Sequence, residues 1–215
     1  LSNEAFPFMA CGPCKAFGVD ARLFRISFSG ELAYEISVPA RYGDSLIRAL
    51  MQVGEEFNVV PYGTEALGVM RIEKGHAAGN ELNGQTTAAM LGMAGMVSKK
   101  KDSIGSKLSE RPEMNRDDGM RLMGFRPVNR SDMLTAGAHF LTKGEPADMA
   151  HDQGWMTSVA YSPELGHSVG LGYLKRGKER IGEHVRAYDP VRGKDMMVEV
   201  CSAHHIDPEG VRQRG

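Results

Sequence analysis

Two cysteines near the start of the chain have the spacing used for thiol chemistry. Cys11 and Cys14 form a C-x-x-C motif, and redox proteins place its first thiolate at a helix N-terminus that follows a buried strand. Residues 1–10 contain no such strand, and the stretch after Cys14 gives barely one helical turn before Gly18. The context therefore predicts two ordinary loop cysteines and leaves a redox module as an alternative.

The same cysteines could instead bind zinc. Cys11 and Cys14 would combine with Cys201 and with His204 or His205, because C-x-x-C and C-x-x-H spacings suit tetrahedral ligation. The two parts fall in different predicted domains, and the histidines are explained more simply as residues at a strand end. We therefore predict no metal.

The sequence contains no Walker loop, no dinucleotide fingerprint before a helix and no G-x-S-x-G elbow. The common nucleotide and serine-nucleophile motifs are therefore excluded.

Two groups of charged residues are candidate binding sites. Glu31 and Glu35 are four positions apart around a turn, and they point to one face of a strand pair if the turn adds no bulge. A carboxylate in a pocket binds a guanidine-like edge, such as an aminopyrimidine, because its two oxygens accept two parallel N–H bonds. Residues 71–76 place several polar groups within one helical turn and its cap, which predicts a helix end that faces something polar. Residue types alone favour a surface role for both groups.

The elements that would position these residues begin with a predicted strand pair. Apolar and polar residues alternate from Arg22 to Phe28, and Ser29-Gly30-Glu31 predicts a turn. A second strand runs over residues 34–38 and ends at Pro39, which cannot donate to a ladder.

Two helices are predicted after the strands. Residues 42–51 carry apolar side chains on one face and Gly54 closes the helix, while a second helix begins at Pro61 and ends at Gly75. This order of strands and helices predicts an α+β layer packing.

The second half of the chain has an all-β pattern. Residues 99–119 are polar and predict loop with one short helix near 106–110, and the run Lys99–Lys101 is interpreted as a solvated face. Six strands are predicted after Gly119, and they argue for a small sandwich or barrel. Their predicted bounds are residues 120–126, 139–142, 154–161, 168–174, 184–188 and 196–202. We place a domain boundary near residue 118, giving domains 1–118 and 119–215.

Composition narrows the functional class. The chain has 26 basic and 27 acidic residues and a net charge of −1, which gives no electrostatic case for binding nucleic acid or an acidic membrane. No apolar run approaches the roughly 20 residues that cross a bilayer. Three cysteines do not make a disulfide framework, so a reducing, cytoplasmic setting is expected. The first residue is Leu1, which suggests a piece of a longer protein.

Several motifs resemble a known family in their order along the chain. The first set resembles the glycine-cleavage T-protein (aminomethyltransferase) family of folate-binding proteins; it consists of Phe6-Pro7-Phe8-Met9, residues 25–36, Pro61-Tyr62-Gly63-Thr64-Glu65 and residues 71–75. A second set narrows this resemblance; it consists of residues 97–102, 157–166 and 206–210. Together the two sets resemble the C-terminal part of the α-subunit family of heterotetrameric sarcosine oxidases. The resemblance covers essentially the whole chain.

The resemblance implies a fold and an activity. It implies part of an aminomethyltransferase-like folate-binding domain followed by a C-terminal β-barrel. The parent complex would demethylate sarcosine oxidatively and transfer the one-carbon unit to tetrahydrofolate, yielding 5,10-methylenetetrahydrofolate, glycine and hydrogen peroxide. It would carry FAD, FMN and NAD elsewhere and assemble with the other subunits of a heterotetramer.

The resemblance also implies site residues. Glu35 matches the family glutamate that binds the pterin's aminopyrimidine edge, Phe28 matches an aromatic that would wall the pterin, and Arg71 is a third, less clear contact. The family's catalytic aspartate lies in a segment N-terminal to this chain, so this piece alone is expected to be inactive. Ala66-Leu67-Gly68 stands where T-proteins carry Ala-Arg-Asp, so that folate contact is absent.

Other functions stay open at this point. A glycine-cleavage aminomethyltransferase or a dimethylglycine-oxidising relative is the nearest alternative. A C-x-x-C redox or metal module and a non-catalytic domain that docks other subunits are further ones.

Overall fold

A three-stranded antiparallel sheet opens the fold, in a computed structural model that describes residues 1–215. Its strands are β1 (Cys11–Ala16), β2 (Val19–Phe24) and β3 (Glu35–Ser37), in the spatial order β1-β2-β3. β1 and β2 are joined by Phe17 and Gly18, whose φ angles of 49° and 82° are those of a type I′ hairpin turn. β3 pairs with β2 so that Phe24 lies opposite Glu35.

β1 corrects the sequence prediction, which placed both of its cysteines in a loop. Gly12 and Pro13 resemble strand breakers, but β1 is the edge of the sheet, and an edge strand tolerates a residue that cannot donate to a ladder. β2, at Val19–Phe24, also begins and ends earlier than the strand predicted at residues 22–28.

The two predicted helices are confirmed. Helix α1 (Gly43–Gly54) follows a 3₁₀ turn at Ala40–Tyr42, and a second 3₁₀ turn at Glu55–Phe57 follows it. Helix α2 (Thr64–Lys74) begins three residues after the predicted start at Pro61. Gly75 ends α2 with a φ of 81°, and a side chain there would meet the carbonyl oxygen of Ala203 at 2.5 Å.

The second half of the chain forms a closed antiparallel barrel. Its strands are β4 (Met120–Pro127), β5 (His139–Leu141), β6 (Gly154–Ser162), β7 (His167–Lys175), β8 (His184–Asp189) and β9 (Lys194–Cys201). Their order around the barrel is β4-β7-β6-β5-β8-β9. The six predicted strands are confirmed, and barrel closure decides between the sandwich and the barrel that the sequence left open.

The barrel encloses an apolar core. Phe125 of β4 stacks on Phe140 of β5 with ring centroids 4.1 Å apart, and both are fully buried. The other members of this cluster are Met123, Leu134, Ala138, Met156, Leu174, Val185, Ala187, Val198 and Val200. A second cluster, around Ile72 of α2, packs Leu122 with Val169, Leu171 and Tyr173.

Spatially, residues 1–70 and 207–215 make one compact unit, and residues 71–206 make another. We call them the first unit and the barrel unit. The barrel unit includes 3₁₀ turns at Ala94–Met96, Pro112–Met114 and Gly177–Arg180 and the short helix Ser106–Ser109, within the predicted helix at 106–110. The division of the sequence at about residue 118 stays a prediction. No helix is both long enough and apolar enough to cross a bilayer.

Candidate folate site

Glu35 is the first residue of the edge strand β3. Its side chain is exposed, and its carboxylate has no hydrogen-bond partner within the protein. Two free oxygens at a sheet edge can accept two parallel N–H bonds from one planar ligand edge. The carboxylate is therefore available for the interaction that the sequence assigns to it.

Phe28 lies in the turn between β2 and β3, and its ring is 42% exposed. Two serine hydroxyls order this turn: Ser27 Oγ accepts the Gly30 amide at 3.0 Å, and Ser29 Oγ accepts the Glu31 amide at 3.3 Å. An ordered, exposed ring in the same unit as Glu35 suits a flat aromatic ligand.

Glu31 differs from Glu35, although the sequence considered them together. It lies in the turn, outside either strand, and its Oε1 accepts a hydrogen bond from Arg212 Nη1 at 3.0 Å. Of the two carboxylates, only Glu35 is left without a protein partner.

Arg71 of α2 lies in the barrel unit, and its side chain is 11% exposed. Its Nη1 donates to Glu81 Oε2 at 2.9 Å and its Nη2 to Ser158 Oγ at 2.7 Å, while the carbonyl of His76 lies 3.3 Å from Nη1. Both terminal nitrogens of the guanidinium are thus already bonded within the protein. The geometry gives Arg71 a structural role; its predicted contact with a ligand stays a prediction.

Glu81 is the partner of Arg71 that the sequence analysis missed. Its carboxylate is fully buried and accepts hydrogen bonds from Thr157 Oγ1 at 2.5 Å, Ser158 Oγ at 2.6 Å and the Ala78 amide at 2.9 Å. Burial raises the pKa of the carboxyl, but the hydrogen bonds and the charge of Arg71 together lower it below its ordinary value. Glu81 stands in an irregular segment without periodicity, and no local signal pointed to partners 76 positions away.

The polar end of α2 is explained by protein contacts. Glu73 is buried and accepts the Ser162 hydroxyl at 2.5 Å, while its carbonyl oxygen accepts the amides of His205 and Ile206. The expectation that this helix end faces polar groups is confirmed, and β6 and the segment after β9 supply the groups. The surface role that residue types favoured for residues 71–76 is wrong, because Glu73 and Lys74 are buried.

The C-x-x-C cysteines lack redox geometry. Side chains alternate along β1, so Cys11 and Cys14 lie on opposite faces, with one exposed and one half-buried. Three strand residues span about 10 Å, beyond the roughly 7 Å between Cα atoms that a disulfide permits. No helix begins there, and no group of three or more His, Cys, Asp or Glu side chains is arranged to hold a metal ion. The redox and zinc alternatives therefore have no geometric support.

The third cysteine belongs to a hydrogen-bonded pair in the barrel unit. Cys201 Sγ lies 3.9 Å from His205 Nδ1, and His205 Nε2 donates to the carbonyl oxygen of Gly170 at 3.1 Å. Burial raises the pKa of the Cys201 thiol to about 11 and lowers the pKa of His205 to about 4. Both groups are neutral near pH 7, so the pair supplies neither a thiolate nor an imidazolium.

The chain is similar to known proteins over its whole length. Residues 1–101 match the GCVT N-terminal domain, and residues 121–207 match the glycine cleavage T-protein C-terminal barrel domain. The sarcosine oxidase subunit alpha of Rhizobium meliloti (strain 1021) is 40% identical over 215 residues, which cover 99% of this chain and 22% of that protein. The same subunit of Corynebacterium sp. (strain U-96) is 39% identical over 219 residues, covering 100% of this chain and 22% of that protein. This chain thus spans about a fifth of the length of these relatives.

More distant relatives share the same fold. The aminomethyltransferase of Halothermothrix orenii is 27% identical over 170 residues, covering 78% of this chain and 45% of that protein. The crystal structure of glycine cleavage system aminomethyltransferase T from Bartonella henselae superposes with a TM-score of 0.74 at 23% identity, covering all of this chain and 55% of that one. This likeness shows that the fold is aminomethyltransferase-like, as expected. Because the chain matches both the N-terminal domain and the C-terminal barrel domain of the glycine cleavage T-protein, it belongs to that family.

Proposed function

We propose that this chain is the folate-binding region of a sarcosine oxidase α subunit. The observation that carries the proposal is the exposed, unpartnered carboxylate of Glu35, in a chain about 40% identical throughout to such subunits. The matches to the two T-protein domains also support a division into domains at 1–118 and 119–215.

The residues present fit a reduced folate. The Glu35 carboxylate would accept two parallel N–H bonds from the aminopyrimidine edge of the pterin, and the Phe28 ring would cover one pterin face. Arg71 is proposed as a weaker third contact. Because two of its nitrogens are already bonded within the protein, its replacement would change stability more than affinity.

The parent complex, in this proposal, oxidises the N-methyl group of sarcosine and releases glycine, hydrogen peroxide and 5,10-methylenetetrahydrofolate. N5 and N10 of tetrahydrofolate supply the acceptor for the one-carbon unit when it is bound. Glu35 and Phe28 bind and orient the pterin, which brings the acceptor nitrogens into a fixed position. FAD, FMN and NAD would be held elsewhere in a heterotetramer with the other subunits, and this chain alone would not turn over.

Glycine-cleavage aminomethyltransferase activity has less support. The aminomethyltransferase relatives are 24–29% identical to this chain, against 39–40% for the sarcosine oxidase subunits. Ala66-Leu67-Gly68 also departs from the Ala-Arg-Asp tract of T-proteins. Hydrogen peroxide release by the complete complex, with sarcosine or with dimethylglycine, would separate the oxidase alternatives.

Titration calorimetry with 5-formyltetrahydrofolate tests the proposed site, in this chain and in the complete α subunit. Glu35→Ala is expected to weaken binding by about 1.5–3 kcal/mol, roughly 10- to 150-fold, because a charge-assisted pair is lost. Glu56→Ala, at an exposed carboxylate of the same unit, is the matched control and leaves affinity unchanged.

Two results would contradict the proposal. Unchanged affinity in Glu35→Ala removes that residue from the site. Binding by neither the chain nor the complete subunit would leave the fold without the ligand and favour a role in docking other subunits.

A further inference from the structure

Arg25 is a buried cation in the first unit. It follows the end of β2 and is 1% exposed. Its Nη1 donates to the carbonyl oxygen of Phe6 at 2.8 Å, and its Nη2 donates to the carbonyl oxygen of Arg214 at 2.5 Å. A guanidinium so placed joins segments far apart in sequence, because its two terminal nitrogens are held by different pieces of backbone, while its buried Nε has no hydrogen-bond partner.

The same guanidinium also contacts the residue that precedes β3. Its central carbon lies 5.9 Å from the centroid of the Tyr34 ring, and Tyr34 directly precedes Glu35. The backbone of Arg25 is fixed as well, since its amide donates to Ala10 and its carbonyl accepts from Met9. Arg25 is therefore fixed at its own backbone and contacts the residue from which the chain enters β3.

Residues 207–215, which we call the tail, supply the other half of this arrangement. The tail leaves the barrel sequence and belongs spatially to the first unit. The Asp207 carboxylate accepts the amides of Val211 and Arg212 and so starts a short helix, Val211–Arg214. This helix presents the carbonyl oxygen that holds Arg25 and the Arg212 side chain that holds Glu31.

We propose that the tail positions the folate site, with Arg25 and Arg212 as its positioning residues. Arg212 secures the turn that carries Phe28 by its hydrogen bond to Glu31. Arg25 secures the start of β3 by its contact with Tyr34. This inference rests on the proposed function for its ligand, since the pterin contacts are those assigned to Phe28 and Glu35. Neither arginine needs to touch the ligand to act in this way.

The test combines folate affinity with amide hydrogen exchange in the full chain. Arg25→Lys keeps the charge but cannot donate to both the Phe6 and the Arg214 carbonyl oxygens in the same geometry. We expect about a tenfold loss of affinity for 5-formyltetrahydrofolate. Arg212→Glu breaks an exposed ion pair, and we expect about a two- to fivefold loss. Both variants should speed amide exchange in residues 27–34. Arg22→Lys, at an exposed arginine of β2, is the matched control and changes neither quantity.

Rescue separates positioning from general destabilisation. The double variant Arg212→Glu with Glu31→Arg restores the pair with its charges exchanged, and it should recover affinity and exchange in residues 27–34 to within about twofold. Unchanged affinity and unchanged exchange in both single variants would overturn the inference. So would losses that the double variant does not recover, or exchange that rises equally over the whole first unit.

Failure of the proposed function gives a different result. If the unmodified chain and the complete α subunit bind no folate, the ligand assignment fails. The exchange rates of residues 27–34 then still decide whether the tail orders the turn.

Discussion

The two units of this protein are ordered by different interactions. Every apolar side chain with less than a tenth of its surface exposed lies between Ile72 and Val200, in the barrel unit. In the first unit the side chains buried to this extent belong to Arg25 and Ser29, and α1 buries none, with Ile47 53% exposed. Within this chain the barrel buries an apolar core, whereas the most buried side chain of the first unit is an arginine whose hydrogen bonds join distant segments of backbone.

Two glutamates show what this difference means for function. Glu81 in the barrel unit is fully buried, and its carboxylate accepts hydrogen bonds from four residues. Glu35 in the first unit is exposed and has no partner. A satisfied buried carboxylate stabilises a fold, while an unsatisfied exposed one is free to bind. Residue type does not distinguish the two.

The largest expected effect sharpens the contrast in packing. Phe125→Ala removes a fully buried ring stacked on Phe140, and unfolding in denaturant should show a loss of about 3–5 kcal/mol because a cavity is left. Phe57→Ala is the control, since that ring is 76% exposed, and it should change stability by less than about 0.5 kcal/mol. Equal losses in the two variants would break the comparison.

The Glu81 network should contribute nearly as much. Glu81→Ala leaves the Arg71 charge and two hydroxyls without their acceptor, and we expect a loss of about 3 kcal/mol in the free energy of unfolding at pH 7. The folded-state pKa of Glu81 lies below the ordinary 4.5, so its contribution is present above pH 4.5 and is lost as the pH falls through the folded value. Glu81→Gln should flatten that acid dependence. Glu35→Ala, at the exposed carboxylate, should change the free energy of unfolding by less than about 0.5 kcal/mol.

His205 should make stability depend on pH in a higher range. Its pKa falls from 6.5 to about 4 on folding, so the unfolded chain binds a proton more readily between these values. Stability is therefore full above pH 6.5 and decreases as the pH falls towards 4, by on the order of 1–3 kcal/mol. Unfolding of His205→Gln at pH 7.5 and pH 5 should lose much of this dependence, and the exposed His184→Gln should retain it. The same slope in both variants would assign the dependence to other groups.

The smallest expected effect concerns the C-x-x-C motif. Cys14→Ser should leave folate affinity unchanged and shift stability by less than about 0.5 kcal/mol, because the half-buried thiol lies on the opposite strand face from Cys11. Calorimetry and denaturant unfolding check both values. A large loss of affinity would return the cysteines to the list of functional residues.

Local patterns predicted most of the fold. Alternating residues between glycine and proline turns predicted all six barrel strands, and the apolar stripe ending at Gly54 predicted α1. They missed β1, because Gly12 and Pro13 weaken a local strand signal that only edge pairing with β2 restores. Residue types singled out Glu35 together with Glu31, and the resemblance selected Glu35 of the two. Phe28 was reached through the resemblance alone, because nothing in its own neighbourhood marks it as a binding residue.

The amino-acid sequence alone was enough to predict the family and the order of the elements from β2 onwards, because periodicity, turn residues and motif order are local properties. The tertiary structure shows which polar side chains are hydrogen-bonded within the protein and which are left exposed for a ligand. The bond from Thr157 to Glu81 joins residues 76 positions apart, and the bond from Arg25 to Arg214 joins residues 189 positions apart. Such partners are chosen by burial, since a buried polar group must find a hydrogen bond wherever the folded chain supplies one.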